Sequence, residues 1–234
     1  MIPDYADIEQ RRGALETARM LLDSGAVSYD LDEPFQVGNT LASPLHVDAR
    51  LVLGWPERRR RLVDMAVETL RRDIDKEGVR TDDLDALACP TDGQGVPFAA
   101  LIAERLGLPL LFVRRTHSDN PHKRDVEGRI EPGWRVLLVE QLATDGARKA
   151  GLIRTLQAAG ATVTDVLVIF QYGIFDAIHE NLSPLGVRMH ALATWWDIQE
   201  EARNGHDLPP AALDEIDGFL KDPCHWHPKH RPAA

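Results

Sequence analysis

The sequence has little cysteine, no long apolar run and a deficit of positive charge. Its two cysteines, Cys89 and Cys224, stand far apart among 234 residues, which argues against a disulfide framework. No apolar run approaches the roughly 20 residues of a membrane-spanning helix, and the first residues lack the apolar core of a signal peptide. With 27 basic and 37 acidic residues, the net charge is −10. We therefore expect a cytoplasmic protein that binds neither nucleic acid nor membrane.

What is present is the composition of an ordinary globular chain, with 44% hydrophobic and 27% charged residues. The first third predicts two helices, over 8–25 and 55–76. The second carries four consecutive arginines, 58–61, which point around a helix and suit a solvated surface or a subunit contact. Short extended pieces are predicted at 26–31, 35–37 and 45–49, around a loop of small polar residues.

From residue 84 the pattern changes to alternating strands and helices. The predicted strands are apolar throughout, which is typical of a parallel sheet covered on both faces. About twenty polar and charged residues without periodicity follow the second of these strands. The predicted strands span 84–89, 109–113, 135–140 and 164–170, and the predicted helices 97–106, 147–159, 194–205 and 210–222.

The segment 135–161 is the strongest candidate for chemistry. It consists of a hydrophobic strand ending in Glu140, a loop of small residues and the start of a helix. Ligands of open α/β sheets bind beyond the carboxyl ends of strands, and helix N-termini bind anions. Residues 144–147 therefore predict a phosphate cradle, with the Thr144 hydroxyl as an extra donor and Glu140 available to sugar hydroxyls. Neither GxxxxGK[ST] nor GxGxxG occurs. An ordinary strand–turn–helix remains the alternative.

VLLVEQLATDGARK, 136–149, resembles the phosphoribosyl pyrophosphate (PRPP) motif of type I phosphoribosyltransferases. Four apolar residues precede an acidic pair and a small-residue phosphate loop. FQVGNTLASPLHVDAR, 35–50, resembles the orotate-side segment of bacterial orotate phosphoribosyltransferases. ACPTDGQGVPFAALIAERLGLPLLFVRR, 88–115, resembles their pyrophosphate loop and the helix and strand that follow it. Two further segments, FQYGIF (170–175) and ALATWWDI (191–198), are similar to a subgroup of that family with an aromatic-rich C-terminal part. The resemblance therefore covers about residues 1–222.

The resemblance implies the type I phosphoribosyltransferase fold. This is an α/β fold with a central parallel sheet flanked by helices, a small N-terminal hood and a helical C-terminal tail. We accordingly expect one domain over 1–222, followed by a flexible tail over 223–234. Within the domain, the hood with its base-side segment spans 1–50, the core sheet 84–193 and the C-terminal helices 194–222.

The resemblance also implies a magnesium-dependent transfer of ribose 5-phosphate from PRPP to orotate in pyrimidine biosynthesis. The products are orotidine 5'-phosphate and pyrophosphate. Magnesium is expected to be held mainly by PRPP and pyrophosphate oxygens, with no direct protein ligand. Segment 116–130 occupies the place of a mobile catalytic loop that closes over the neighbouring subunit's site, so the expected state is a homodimer.

Carried over residue by residue, the resemblance assigns three groups of site residues. The predicted catalytic residues are Glu140, His117 and Lys123. The predicted base-binding residues are Asn39, Thr40 and Thr144. The predicted PRPP-binding residues are Arg114, Arg115, Glu140, Gln141, Leu142, Ala143, Thr144, Asp145, Gly146, Ala147 and Arg148.

Four segments depart from the family's pattern. The acidic pair is Glu140–Gln141, so an amide replaces one carboxylate, and 38–40 stand where the family has Ser-Gly. The loop over 116–130 lacks the usual lysine-and-glycine pattern, and Ala147–Arg148 replace a second glycine or hydroxyl. These changes keep a second hypothesis open. It is a degenerate paralogue that binds PRPP or a nucleotide with weak or no catalysis, as a regulatory or partner subunit.

Other chemically interesting residues have simpler structural interpretations. Cys89 ends an apolar strand and is expected to be a small buried side chain. The cluster Cys224, His225, His227 and His230 lies on a terminal tail, which favours a fortuitous His-rich end over a metal site. The aromatic residues Tyr172, Trp195 and Trp196 are expected in a core or a dimer interface. His46 is expected in a strand, without a chemical role. Asp82, Asp83 and Asp85 precede a strand, so we expect them at the edge of the sheet opposite the ligand.

Overall fold

The computed structural model describes residues 8–37, 41–74, 80–91, 93–114, 124–205 and 208–226. The chain divides into two compact units. The unit called here the terminal unit consists of 1–59, 172–174 and 193–234. The sheet unit consists of 60–171 and 175–192. The division into hood, core sheet and C-terminal helices stays a prediction.

The terminal unit holds helices and two small antiparallel sheets. β1 pairs with β4, and β2 with β3. The apolar side of α1 is buried, and Gly25 follows that helix in the left-handed conformation, with a φ of 67°. The elements are α1 (Ile8–Asp23), β1 (Val27–Tyr29), β2 (Phe35–Val37), β3 (Leu41–Ser43), β4 (Leu45–Val47), a 3-10 helix (Ala49–Gly54), and, towards the C-terminus, α6 (Trp195–Gly205) and α7 (Pro210–Lys221).

The sheet unit is built on six strands in the order β10-β9-β8-β5-β6-β7. β9 pairs parallel with β8, β8 with β5 and β5 with β6, whereas β7 pairs antiparallel with β6. The predicted parallel sheet is therefore confirmed. Its elements, with α2 beginning in the terminal unit and β10 ending there, are α2 (Pro56–Ile74), β5 (Ala86–Pro90), α3 (Val96–Leu106), β6 (Leu110–Val113), β7 (Val126–Glu127), β8 (Val136–Ala143), α4 (Ala147–Ala158), β9 (Asp165–Gln171), α5 (Ala177–Leu182) and β10 (Arg188–Thr194).

Continuous burial explains why the apolar runs form the centre of the sheet. All five residues of β5 are buried, as are seven of the eight in β8 and six of the seven in β9. Strands buried on both faces read as unbroken apolar sequence. No described helix is long and apolar enough to cross a bilayer.

Several elements differ from the sequence-based expectation. β3 and β7 lie in stretches expected to be loops, since strands of three and two residues leave no periodic pattern. β8 continues to Ala143, three residues beyond the expected end of the strand at Glu140, and Leu142 and Ala143 pair with β9. No element was expected where α5 and most of β10 lie. In the tail, Trp226 is buried and packs edge-to-face on Phe219 at 5.7 Å between ring centroids.

Candidate active site at the carboxyl end of the parallel sheet

The end of β8 presents Glu140 and Gln141 to the edge of the sheet where ligands of α/β proteins bind. Glu140 pairs in register with Val168 of β9. Both side chains are largely buried, with Glu140 8% and Gln141 2% exposed. The site therefore offers one carboxylate and one neutral amide in surroundings that strengthen electrostatic interactions.

The loop after β5 comes into direct contact with this dipeptide. In the register of the sheet, Leu87 lies beside Leu137, so the end of β5 falls beside Glu140. Gly95, the N-cap of α3, is so close that an added Cβ would lie 2.7 Å from Glu140 Cα and 2.9 Å from Gln141 N. Only a residue without Cβ fits this approach. The segment resembling a pyrophosphate loop is thereby fixed against Glu140–Gln141.

The loop between β8 and α4 is held in a cradle-like turn. Gly146, the N-cap of α4, has a φ of 79°, a left-handed conformation that favours glycine. The Ala147 amide donates to Asp145 Oδ1 at 3.1 Å, and Asn181 Nδ2 donates to the Asp145 carbonyl at 2.9 Å. Asp145, Ala147 and Arg148 are exposed. The loop is thus both shaped and accessible, at the positively polarised end of a 12-residue helix.

Lys149 is a functional candidate that the sequence analysis missed. It lies in the first turn of α4 and is 4% exposed. Its ammonium group donates to the Leu142 carbonyl at 2.7 Å and lies 3.0 Å from Glu140 Oε1. A sequence signal existed, because Lys149 occupies the first position of the buried stripe of α4, which continues with Leu152, Ile153 and Leu156.

Arg114 follows β6 at the same edge of the sheet. Its guanidinium forms an ion pair with Glu127 of β7, and its amide donates to the Asp125 carbonyl at 2.8 Å. The structure therefore places Arg114 and residues 140–148 at the carboxyl ends of β6 and β8, the two strands that flank β5. The remaining predicted site residues, Asn39, Thr40, Arg115, His117 and Lys123, lie outside the described residues.

In the described part of the chain, the residues for which the sequence favoured a structural role make structural contacts. Burial, with a smaller contribution from the Glu140 charge, raises the pKa of Cys89 to about 12, so its thiol is unsuited to nucleophilic attack. Asp85 accepts a hydrogen bond from the Arg135 amide at 2.8 Å, at the amino ends of the strands. Tyr172 packs edge-to-face on Trp195, and His46 stacks on Phe35. The indole Nε1 of Trp196 donates to the Gly173 carbonyl at 3.1 Å.

Three of the four consecutive arginines also have local partners. Arg58 lies over the Trp55 ring and donates to Ser24 Oγ, Arg59 donates to the Leu53 carbonyl, and Arg61 pairs with Glu68. The described residues contain no group of three or more His, Cys, Asp or Glu side chains able to hold a metal ion. His227 and His230 of the tail are outside the described residues, so that metal hypothesis stays open.

Comparison with known proteins identifies the family. No family model matches the chain. The chain is 40% identical over 217 residues to an orotate phosphoribosyltransferase of Cereibacter sphaeroides, an alignment covering 93% of this chain and 91% of the relative. It is 37% identical over 229 residues to that of Dinoroseobacter shibae, covering 98% and 96%. The chain belongs to the orotate phosphoribosyltransferase family.

Solved structures agree with this membership. The orotate phosphoribosyltransferase of Aeropyrum pernix superposes with a TM-score of 0.66 at 29% identity, covering 80% of this chain and 99% of that one. The UMP synthase of Leishmania donovani superposes with a TM-score of 0.72 over 88% of this chain. This chain spans 42% of that protein, and at 23% identity the likeness shows the fold alone.

Membership of the orotate phosphoribosyltransferase family confirms the resemblance and the fold expected from the sequence. The alternative of a degenerate binding paralogue is not favoured, because the similarity to proteins named orotate phosphoribosyltransferase extends over nearly the whole chain. The assignment of roles to single residues, including Glu140 and Thr144, stays a prediction.

Proposed function

We propose that the chain transfers ribose 5-phosphate from PRPP to orotate and releases pyrophosphate. The proposal rests on family membership and on one observation, which is that Glu140 and the start of α4 lie at the same edge of the sheet. The carboxylate of Glu140 is followed within six residues by the left-handed Gly146 and the N-terminus of α4. A sugar phosphate needs a hydroxyl acceptor and an anion cradle at about this spacing.

In the proposed mechanism the 5-phosphate binds the loop over 144–148. Backbone amides at the start of α4 and the Thr144 hydroxyl would donate to it. The Asp145 carboxylate already accepts from one of these amides, that of Ala147, so phosphate binding would displace or rearrange that contact. The exposed Arg148 would add a positive charge beside the phosphate.

Glu140 would act on the ribose. As the bond to pyrophosphate breaks, positive charge develops on the sugar ring, and a fixed carboxylate stabilises that charge more than it stabilises bound PRPP. Gln141 would contribute hydrogen bonds without charge. Thr40 and Asn39 would face the base, and His117 and Lys123 would approach from the loop over 116–130.

The loop after β5 and the basic pair after β6 would hold pyrophosphate. Arg114 would exchange its ion pair with Glu127 for the leaving anion, with Arg115 beside it. The side-chain oxygens of Glu140 and Gln141 would face water molecules on a magnesium ion held mainly by PRPP, so these residues fit the ion without ligating it directly. When bound, the ion would neutralise negative charge on pyrophosphate.

We further propose a homodimer in the cytoplasm. The loop over 116–130 would close over the partner's site, as the family resemblance implies. Leu51 and Trp55, 49% and 52% exposed, offer apolar surface for a contact between subunits. The two cysteines are free thiols, which suits a reducing compartment.

The function is tested by pyrophosphate release at saturating PRPP and magnesium, with orotate, uracil or adenine as the base. We expect release with orotate and none with the other two bases. Release with a different base alone would contradict the assignment of orotate. PRPP binding by calorimetry without release on any base would instead support the binding paralogue.

A further inference from the structure

We infer that Lys149 is a positioning residue for the transfer reaction, holding the Glu140 carboxylate in place at the end of β8. The inference rests on the proposed function. It concerns a residue to which the sequence assigned no role, and it follows from the geometry around one buried ammonium group.

The first observation is the location of the pair within the core. Glu140 follows Val136 and Leu138 on the same face of β8, because side chains alternate along a strand. Lys149 begins the buried stripe of α4. Both residues therefore stand where the pattern calls for apolar side chains. The cluster between these two faces includes Val136, Leu138, Leu152, Ile153 and Leu156.

The second observation is the pairing. The Lys149 ammonium lies 3.0 Å from Glu140 Oε1, an ion-pair contact without hydrogen-bond geometry to an oxygen shielded from solvent. The side chains of the two residues are 5% and 11% exposed. A buried ion pair of this kind is a poor source of stability, since apolar residues of similar volume serve a core equally well or better. Its presence is better explained by what it does to the carboxylate.

The third observation is the second contact of the same ammonium. It donates to the Leu142 carbonyl at 2.7 Å, so Lys149 spans the phosphate loop from α4 back to β8. The hydrogen bond to the carbonyl holds the ammonium in place, and the ammonium attracts Glu140 Oε1 through its charge. On the other side, Gly95 closes against the backbone of Glu140. The carboxylate is thereby confined between a helix start and a fixed cation.

This confinement matters because the dipeptide contains a single carboxylate. With Gln141 neutral, Glu140 is the residue of this dipeptide whose charge would stabilise the developing cation. An electrostatic group contributes most when it is held in place before the reaction begins. Lys149, buried beneath the loop, would supply that preorganisation.

The test is a double-mutant cycle between Lys149→Met and Glu140→Gln, with kcat and KM measured for orotate and PRPP. Methionine keeps the apolar stem and removes the ammonium. We expect Lys149→Met to lower kcat at least about tenfold, while both KM values change less than about threefold. In the Glu140→Gln background the same substitution should lower kcat no further. Lys149→Arg, which keeps the cation, should retain more of kcat than Lys149→Met.

A matched control is Lys221→Met, which removes an exposed lysine paired with Asp217 on α7 and should leave kcat unchanged. If Lys149→Met lowered kcat equally with and without Glu140, the lysine would be merely structural and the inference would be wrong. If Lys149→Met did not fold, Glu140→Gln and the double variant would still be compared, and a tenfold lower kcat in the latter would overturn the inference. Wild-type protein without orotate-dependent release would overturn the proposed function as well.

Discussion

Gly95→Ala should damage activity far more than it damages the fold. An alanine Cβ would lie 2.7 Å from Glu140 Cα, 2.9 Å from Gln141 N and 3.0 Å from Glu140 C. Ordinary contacts between carbon atoms begin at about 3.5 Å, so the start of α3 and β8 must separate by about 0.8 Å. All three opposing atoms are backbone, and none can rotate away.

Two effects set the size of the loss of stability. Overpacking of this kind costs about 1–3 kcal/mol in free energy of unfolding. The φ of Gly95, −80°, suits alanine. Alanine also lowers the conformational entropy of the unfolded chain, which stabilises the fold by about 0.4–1 kcal/mol. We expect a net loss of about 1–2 kcal/mol. A misplacement approaching 1 Å at the reacting carboxylate, however, costs about 10²-fold in rate.

The assay pairs urea unfolding with kcat/KM for orotate-dependent pyrophosphate release. The matched control is Gly151→Ala in the interior of α4, where an added Cβ meets no atom within 4 Å. That variant should gain about 0.4–1 kcal/mol and keep its activity. Wild-type kcat/KM in Gly95→Ala would refute the argument that the close approach positions Glu140.

Three further predictions concern the amide, the loop and a buried histidine. Gln141→Asp should raise kcat by about 10²-fold with little change in PRPP affinity by calorimetry, since a second carboxylate acts mainly in the transition state; equal kcat would contradict this. Gly146→Val, forced into a φ of 79° and placed 3.2 Å from Ile178 Cγ1, should lose PRPP binding, and unchanged affinity would count against the cradle. Burial lowers the pKa of His190, but hydrogen bonds with Asp165 and Asp73 raise it overall above the usual value. The stability that the charge on His190 contributes is therefore fully present from about pH 6.5 down to the acid range in which Asp73 and Asp165 become protonated, and it is lost as pH rises through the folded-state pKa of His190. Urea unfolding should show that loss in wild type and not in His190→Asn.

The parallel sheet and the loop after Glu140 could be predicted from the sequence, because both depend on local patterns. Unbroken apolar runs marked the central strands, and the small residues after Glu140 marked the loop. Gly95 could not be found this way, since its close approach depends on the register between β5 and β8. Lys149 was missed because its partners lie across a loop.

Short elements and isolated aromatic contacts were also beyond the sequence pattern. The two residues of β7 gain their strand conformation from pairing with β6. Trp226 stands among polar residues, yet its ring is buried against Phe219. In both cases tertiary contacts, which no local window contains, decide the conformation.

Phosphorus NMR of PRPP, magnesium and orotate with wild-type protein tests the central claim most directly, since it follows both phosphate groups at once. We predict that the diphosphate signal of PRPP is replaced by free pyrophosphate and by the 5'-phosphate of orotidine 5'-phosphate in equal amounts, and only when orotate is present. Glu140→Gln should slow this conversion by about 10²-fold. Conversion at the wild-type rate in Glu140→Gln, or none in the wild type, would contradict the account.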